Sequence, residues 1–208
     1  MLAAAKRLEI RLRMAAPRFL RTLYRCANSL REHEPSRNLP PELIRDCRFF
    51  ASREDMLDFL PRSGRVAEFG TLAGKFAREI LRRNDPSELY LIDIDTSRID
   101  LKDDDRVHIK RGLAHEIIGG FPDGYFDWIY IDADHSYAGT LRDANAAAEK
   151  IKPGGLLVFN DFAHIDPDLG RYGVHRAVVD FVIDRGWPLR CFAFERHALY
   201  DVAIERPS

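Results

Sequence analysis

From residue 65 onward, short apolar runs alternate with longer stretches of helical periodicity. The runs are "RVAEF" (65–69), "ELYLIDI" (88–94), "RVHIK" (106–110), "FDWIYI" (126–131) and "GLLVFN" (155–160). Helical spacing is read near 75–83, 114–118, 139–151 and 174–185. Strands that are apolar on both faces, each followed by a crossover helix, predict a parallel sheet with helices packed on either side. The end of the chain departs from this rhythm. "LRCFAFE" (189–195) and "LYDVAIE" (199–205) are separated only by Arg196, His197 and Ala198, which suits an antiparallel hairpin at the sheet edge. The expected architecture is α/β: a Rossmann-like, doubly wound, mostly parallel seven-stranded sheet that ends in this hairpin.

Residues 1–62 have a different texture and are expected to form a helical extension preceding a domain at 63–208. In 36–60 the pattern predicts two short helices. Pro40 and Pro41 open one at 42–50; Ser52 caps the other, with Asp55 three residues on, and Pro61 stops it. Before them, Leu8, Leu12, Leu20, Leu23 and Tyr24 recur at near-helical spacing, interrupted by Pro17. Lys6, Arg7, Arg11, Arg13, Arg18, Arg21, Arg25 and Arg31 interleave with them, and Glu9 is the single acid. Such a basic amphipathic arm suits an anionic membrane surface or a partner. A helix packed on its own domain, or a homodimer through the N-terminal helices, fits the pattern better.

The whole chain of 208 residues has a net charge of −1, so no global field draws in nucleic acid. No apolar run approaches a membrane span, and the interrupted N-terminal stretch does not read as a signal peptide, so no stable membrane insertion is expected. Cys26, Cys47 and Cys191 are odd in number, far apart and without a CxxC pair. Reduced thiols in a cytoplasmic protein are the expected reading.

In open α/β sheets, ligands collect beyond the carboxyl ends of the strands. Four predicted strand ends carry polar groups to that rim: residues 68–74, Asp93, the group Asp132, Asp134 and His135, and the pair Asn160 and Asp161. Glu68, Gly70 and Gly74 stand between a strand and a helix, where glycines permit a sharp turn and close approach of backbone N–H groups to a ligand. This turn is not G-x-G-x-x-G, because Leu72 and Lys75 occupy glycine positions. It is not a P-loop either: the glycine spacing is one residue short, and no Ser or Thr follows Lys75. Asp93, about twenty residues beyond the turn, suits the hydroxyls of a ribose. Asp95 suits the cap of the next helix better.

The blocks "VAEFGTLAGKFA", "LYLIDID", "FDWIYIDADHSYAGTLRDANAAAEKIKPGGLLVFND" and "YGVHRAVVDFV" together resemble class I S-adenosylmethionine-dependent methyltransferases. Within that class the chain is most similar to the branch of catechol, caffeoyl-CoA and macrocin-type O-methyltransferases. The resemblance spans about 64–205. It implies that Glu68, Gly70 and Gly74 hold the methionine end of the cofactor and Asp93 its ribose. It also implies that 112–115, with Ala114, border the adenine, and that Asp134 contacts the cofactor. Asp132, Asn160 and Asp161 match the ligands of a divalent cation in the metal-dependent enzymes. His135 falls where the catechol and caffeoyl-CoA enzymes carry a lysine as general base.

Three oxygen donors with carboxylate charge suit Mg²⁺, Mn²⁺ or Ca²⁺, Mg²⁺ first. A cation there would bind an acceptor hydroxyl and lower its pKa, and a histidine near its free pKa of about 6.5 could take the proton. The expected function is therefore transfer of a methyl group to a hydroxyl oxygen of a small acceptor. Two alternatives stay open: a metal-independent methyltransferase of the same fold, and a non-catalytic S-adenosylmethionine-binding protein acting through a partner. Tyr137 and His164 are further candidates to line the acceptor pocket, whereas His108 and His197 read as structural or solvated. Residues 162–172 and the arm are the regions expected to choose the acceptor.

Overall fold

The structure is a computed structural model that describes residues 2–166, 169–196 and 199–208, with only the backbone described at Leu2. The arm is two helices, α1 (Leu2–Ala15) and α2 (Arg18–Arg31), broken at Pro17. There follow β1 (Arg48–Phe50), α3 (Arg53–Leu57), β2 (Arg65–Phe69), α4 (Lys75–Asn84), β3 (Glu88–Asp93), β4 (Val107–Arg111), α5 (Ala114–Ile118), β5 (Phe126–Ile131), α6 (Tyr137–Ala148) and β6 (Ile151–Phe159). A two-stranded ribbon, β7 (Ile165–Asp166) and β8 (Gly170–Arg171), precedes α7 (Val174–Arg185), β9 (Leu189–Phe194) and β10 (Tyr200–Glu205).

The main sheet has eight strands in the order β1-β9-β10-β6-β5-β2-β3-β4. All neighbours are parallel except β10, which runs antiparallel to both β6 and β9. Two expectations are corrected. The sheet has one strand more than the seven expected, and the β9–β10 hairpin is not its edge. β10 inserts between β6 and β9, and β1 then covers β9. The expected helix at 42–50 is absent: Pro41–Leu43 form one 3₁₀ turn, and Arg48–Phe50 pair in parallel with β9. Three residues carry too little periodicity to separate strand from helix. What decides is the open hydrogen-bonding row of β9, together with Phe49, whose ring packs 5.7 Å from Phe192. Ser52 caps α3 as expected, accepting a bond from the Asp55 N–H at 3.1 Å.

Strand alternation explains the two-sided core. Val66, Trp128, Tyr130, Leu156 and Val158 face the side covered by α3 and α4, where Met56, Leu57 and Ile80 meet them. Ala67, Phe69, Ile129, Ile131, Leu157 and Phe159 face the other side, under α6 and α7. The parallel buried strands β2, β3, β5 and β6 therefore end at the same rim, where polar residues follow them. Among the described residues no helix is long and apolar enough to cross a membrane.

Candidate functional site

The turn after β2 passes between its neighbours β3 and β5. Gly70 donates its N–H to the Ile92 carbonyl at 2.9 Å, and its φ is +82°. An added Cβ would stand 1.9 Å from the Asp132 carbonyl oxygen, so only glycine fits. The same passage lifts the Leu72 N–H to Asp93 Oδ2 at 2.9 Å, while the Asp95 N–H donates to Asp93 Oδ1 at 2.8 Å. Two backbone donors thus fix the Asp93 carboxylate at the end of β3 and leave its remaining lone pairs free. Asp95 caps the 3₁₀ turn Thr96–Arg98, the role its position suggested.

These groups open on a cavity of about 800 Å³, within the range of small-molecule sites. Of the expected cofactor residues, Gly70, Asp93, Ala114 and Asp134 line it. Gly74 and Glu68 are not in its lining. Gly74 starts α4 behind the turn, and Glu68 is buried beneath the rim. Burial, reinforced by Asp132 and Asp93, pushes the Glu68 carboxyl up to about 8, and its Oε2 has no hydrogen-bond partner. Asp134 is oriented by the Ser136 N–H at 3.1 Å, and its Oδ2 lies 3.7 Å from Lys6 and 3.9 Å from Arg142. Burial alone would raise its pKa; the Ser136 bonds and the two cations outweigh that and hold it below the ordinary range.

The other end of the rim is an acidic cluster around one imidazole. His135 Nε2 stands 3.2 Å from Asp132 Oδ1 and 3.8 Å from Asp161 Oδ2, and its ring stacks on Tyr172 at 4.4 Å. Burial lowers the His135 pKa, but Asp132, Asp161 and the Asn160 side chain outweigh it, and the net shift is upward. Asp161 has a φ of +52°, and burial with the nearby Asp132 raises its pKa despite His135. Beneath them lies Asp201, fully buried in β10. Its Oδ1 accepts from the Asn160 amide at 3.2 Å and faces the Asp161 N–H at 3.4 Å, and its Oδ2 accepts from Tyr130 at 2.5 Å. Asn160 also donates to the Tyr130 oxygen at 3.1 Å. Both amide hydrogens of Asn160 are thereby committed downward, which leaves its side-chain oxygen for the site.

The three residues expected to bind a cation are therefore brought together, with His135 as their common neighbour. Among the described residues, no group of three His, Cys, Asp or Glu side chains is arranged to hold a metal ion. The expected trio supplies two carboxylates and an amide oxygen, a donor chemistry that suits a hard cation.

Sequence reasoning missed Asp201, Tyr130 and Asp143. Asp201 had a signal, an acid in the middle of an otherwise apolar strand. Asp143 lines the cavity from α6, with its Oδ1 3.3 Å from His115 Nδ1, and burial pushes its carboxyl up to about 7. Tyr137 turns from the cavity to donate to Asp180 at 3.0 Å, under Arg176. His164 packs edge-on to Tyr172, one ring behind His135. His108 sits beside Tyr90 and Glu88 away from the rim, and His197 lies outside the described residues.

The arm roofs the cavity. Arg7 donates to the Ile94 carbonyl at 2.9 Å, and Arg13 to the Tyr24 hydroxyl at 3.1 Å. Asn28 donates to the Leu169 and Arg171 carbonyls at 2.8 and 3.2 Å, tying α2 to the ribbon before α7. Glu32 accepts from the Tyr137 N–H at 3.2 Å, and a Cβ on Gly173 would come 2.2 Å from that carboxylate.

Residues 67–162 match a family model described as a methyltransferase domain. Three solved structures share the fold. The pyocyanin biosynthetic protein PhzM aligns with a TM-score of 0.58 at 15% identity over 75% of this chain and 54% of its own. An O-methyltransferase family protein from Burkholderia thailandensis aligns at 0.56, with 18% identity, over 75% and 55%. An S-adenosylmethionine-dependent methyltransferase from Mesorhizobium loti aligns at 0.54, with 15% identity, over 71% and 94%. The chain spans about half the length of the first two. A comparison with curated proteins returns no match. Residues 67–162 are thus similar to a methyltransferase domain, and the chain has the Rossmann-like fold of these structures.

Proposed function

We propose that this chain transfers the methyl group of S-adenosylmethionine to a hydroxyl oxygen of a small acceptor. The observation that carries the reading is the Asp93 carboxylate, held by the Leu72 and Asp95 N–H groups at the wall of a cavity into which Gly70, Ala114 and Asp134 also open. A carboxylate fixed in this way accepts bonds from two vicinal ribose hydroxyls without further ordering. Gly70 lets backbone approach the ligand, and Ala114 leaves room for a flat base. Methyl transfer is an in-line displacement, so alignment by these walls is the main task; well-oriented reactants gain on the order of 7–11 kcal/mol.

At the acceptor end, His135 Nε2 would take the hydroxyl proton. Asp132 and Asp161 stabilise the imidazolium that results, which strengthens the base. Tyr172 holds the ring by stacking, and Asp201 keeps the Asn160 amide turned down. Asp132, Asp161 and the Asn160 side-chain oxygen would hold a divalent cation, Mg²⁺ first by hardness of the donors. Such an ion, when bound, would lower the pKa of the acceptor hydroxyl. A metal-independent reading also has a specific observation in its favour: the His135 imidazole lies between the two carboxylates, where it compensates their charge once it has taken the proton.

The test is calorimetric titration with S-adenosylmethionine and with its demethylated product, with and without Mg²⁺. Binding of both that falls at least about tenfold in Asp93→Ala is expected, one tenfold step being about 1.4 kcal/mol. No heat with either ligand would sink the reading. A Mg²⁺ heat abolished by Asp161→Ala supports the cation, whereas methylation that survives thorough chelation supports the metal-independent form.

A further inference from the structure

The cations that line the cavity fall into two groups. At the end bounded by Asp93 and Asp134, three of them are occupied. Lys6 and Arg142 lie 3.7 and 3.9 Å from Asp134, and Arg7 donates to the Ile94 carbonyl at 2.9 Å. Arg13 and Arg31 are placed differently. Arg13 donates through Nη1 to the Tyr24 hydroxyl at 3.1 Å and lies 5.1 Å from the centre of the Tyr24 ring, but its Nε is shielded from solvent with no hydrogen-bond partner. Glu9, one turn before it, pairs instead with Lys6 at 3.4 Å. Arg31 is exposed at the cavity edge, and neither arginine forms an ion pair among the described residues. Tyr24, Asn28 and Arg31 share one face of α2 by helical spacing. Asn28 bonds to the Leu169 and Arg171 carbonyls, and the residue that follows, Tyr172, stacks on His135. Both arginines therefore roof the His135 end of the cavity.

We propose that Arg13 and Arg31 form an anion subsite, and that the methyl acceptor carries a carboxylate or phosphoryl group besides the hydroxyl that meets His135. This rests on the methyl-transfer reading of the cavity. A guanidinium presents a planar fork of N–H donors that matches either group. A solvent-shielded N–H with no partner is costly to keep, and an oxyanion bonded to it removes that cost. Tyr24 holds the Arg13 fork before a ligand arrives, so little side-chain freedom is lost on binding. The floor of the same end acts in the opposite sense. Asp132 and Asp161 repel a second negative charge, which directs the anionic group away from them. The acceptor is thus oriented with its hydroxyl toward His135 and its charge toward the arm, and the arm selects the acceptor as well as covering it.

The experiment is calorimetric titration of the full chain with inorganic phosphate, with benzoate and with its neutral counterpart benzyl alcohol. Each is run with and without the demethylated product of S-adenosylmethionine. With that product bound, at least one anion is expected to bind at least about tenfold more tightly than benzyl alcohol, and the preferred anion separates a phosphoryl from a carboxylate acceptor. Arg13→Gln and Arg31→Gln should each weaken the anion by about tenfold and leave the heat of the demethylated product unchanged. Arg18→Gln, outside the cavity lining, should change neither. Arg31 has no side-chain partner among the described residues, so its variant keeps the test valid if Arg13→Gln loosens the arm. Anions that bind no better than benzyl alcohol, or that the demethylated product displaces, would overturn the proposal. So would an equal loss of affinity for the demethylated product in both variants, which would assign the arginines to the cofactor's own carboxylate. Failure of the methyl-transfer reading shows separately, as the absence of any heat from the demethylated product.

Discussion

The β-sheet body and the N-terminal arm solve the same problem, where to put apolar side chains, in opposite ways. In the body, Phe69, Trp128, Ile129 and Phe159 are fully buried, and the polar residues are displaced to the strand ends, where they form the site. In the arm, Leu12, Leu23 and Leu30 stay outside, and the charged face turns in. The difference follows from what each region meets. A strand meets other strands and helices, and burial of each large apolar side chain there contributes about 1.5–3 kcal/mol. The arm meets a rim already occupied by Asp93, Asp95, Asp132 and Asp134, and a leucine face has nothing to gain on carboxylates. Its cations do. The body is held by packing and the arm by a few polar bonds, so changes of similar size should have very different consequences in the two regions.

The largest effect is expected at Gly70. Gly70→Ala forces a Cβ against the Asp132 carbonyl at a positive φ, and neither backbone can yield without moving β3 or β5. A loss of about 2–4 kcal/mol in denaturant unfolding is expected, together with loss of the cofactor heat. A variant as stable as the parent would show that the body is not packed as tightly as the contrast requires.

A middle-sized effect belongs to Asp143, a buried carboxyl at the cavity wall. Burial, with a smaller push from Asp134, raises it to about 7 against the opposing Arg142. A carboxyl raised in the folded state favours folding most below its unfolded pKa of about 4, and that advantage is lost as pH rises toward 7. Unfolding free energy should therefore decline across that window. Asp143→Asn should make the decline shallower by up to about 1.4 kcal/mol per pH unit, read from chemical denaturation at several pH values. Glu68 and Asp201, raised for the same reason, add to the slope in the same direction.

The smallest effect is expected in the arm. Lys6 and Asp134 face each other at 3.7 Å, both partly exposed. Lys6→Ala should change unfolding free energy by less than about 0.5 kcal/mol, because such surface pairs are screened and cost side-chain entropy. A larger loss would mean that the arm is part of the cooperative unit and that the two regions differ less than their packing suggests.

How far the sequence could be read follows the same division. The continuous apolar runs of β2, β3, β5 and β6 located the strands within a few residues, since burial on both faces leaves an unmistakable apolar signature. Asp93, Asp132, Asp134, His135, Asn160 and Asp161 were recognisable because polar residues directly after such runs have one place to go. β1 was missed because three residues hold no period and its partner, β9, lies far along the chain. Asp201 and Tyr130 were missed for a related reason. Their importance lies in the Asn160 amide they hold, a contact between β5, β6 and β10 that no local pattern records.

The sequence by itself determined which segments are strands, which strand ends carry polar groups, and that the arm is helical and amphipathic, because each follows from neighbours a few positions away. Only the tertiary structure decided that β10 enters between β6 and β9, that His135 stands between Asp132 and Asp161, and which face of the arm looks inward. An amphipathic helix specifies two faces; its partner selects between them, and here the partner is a rim of carboxylates assembled from strands far apart in the chain.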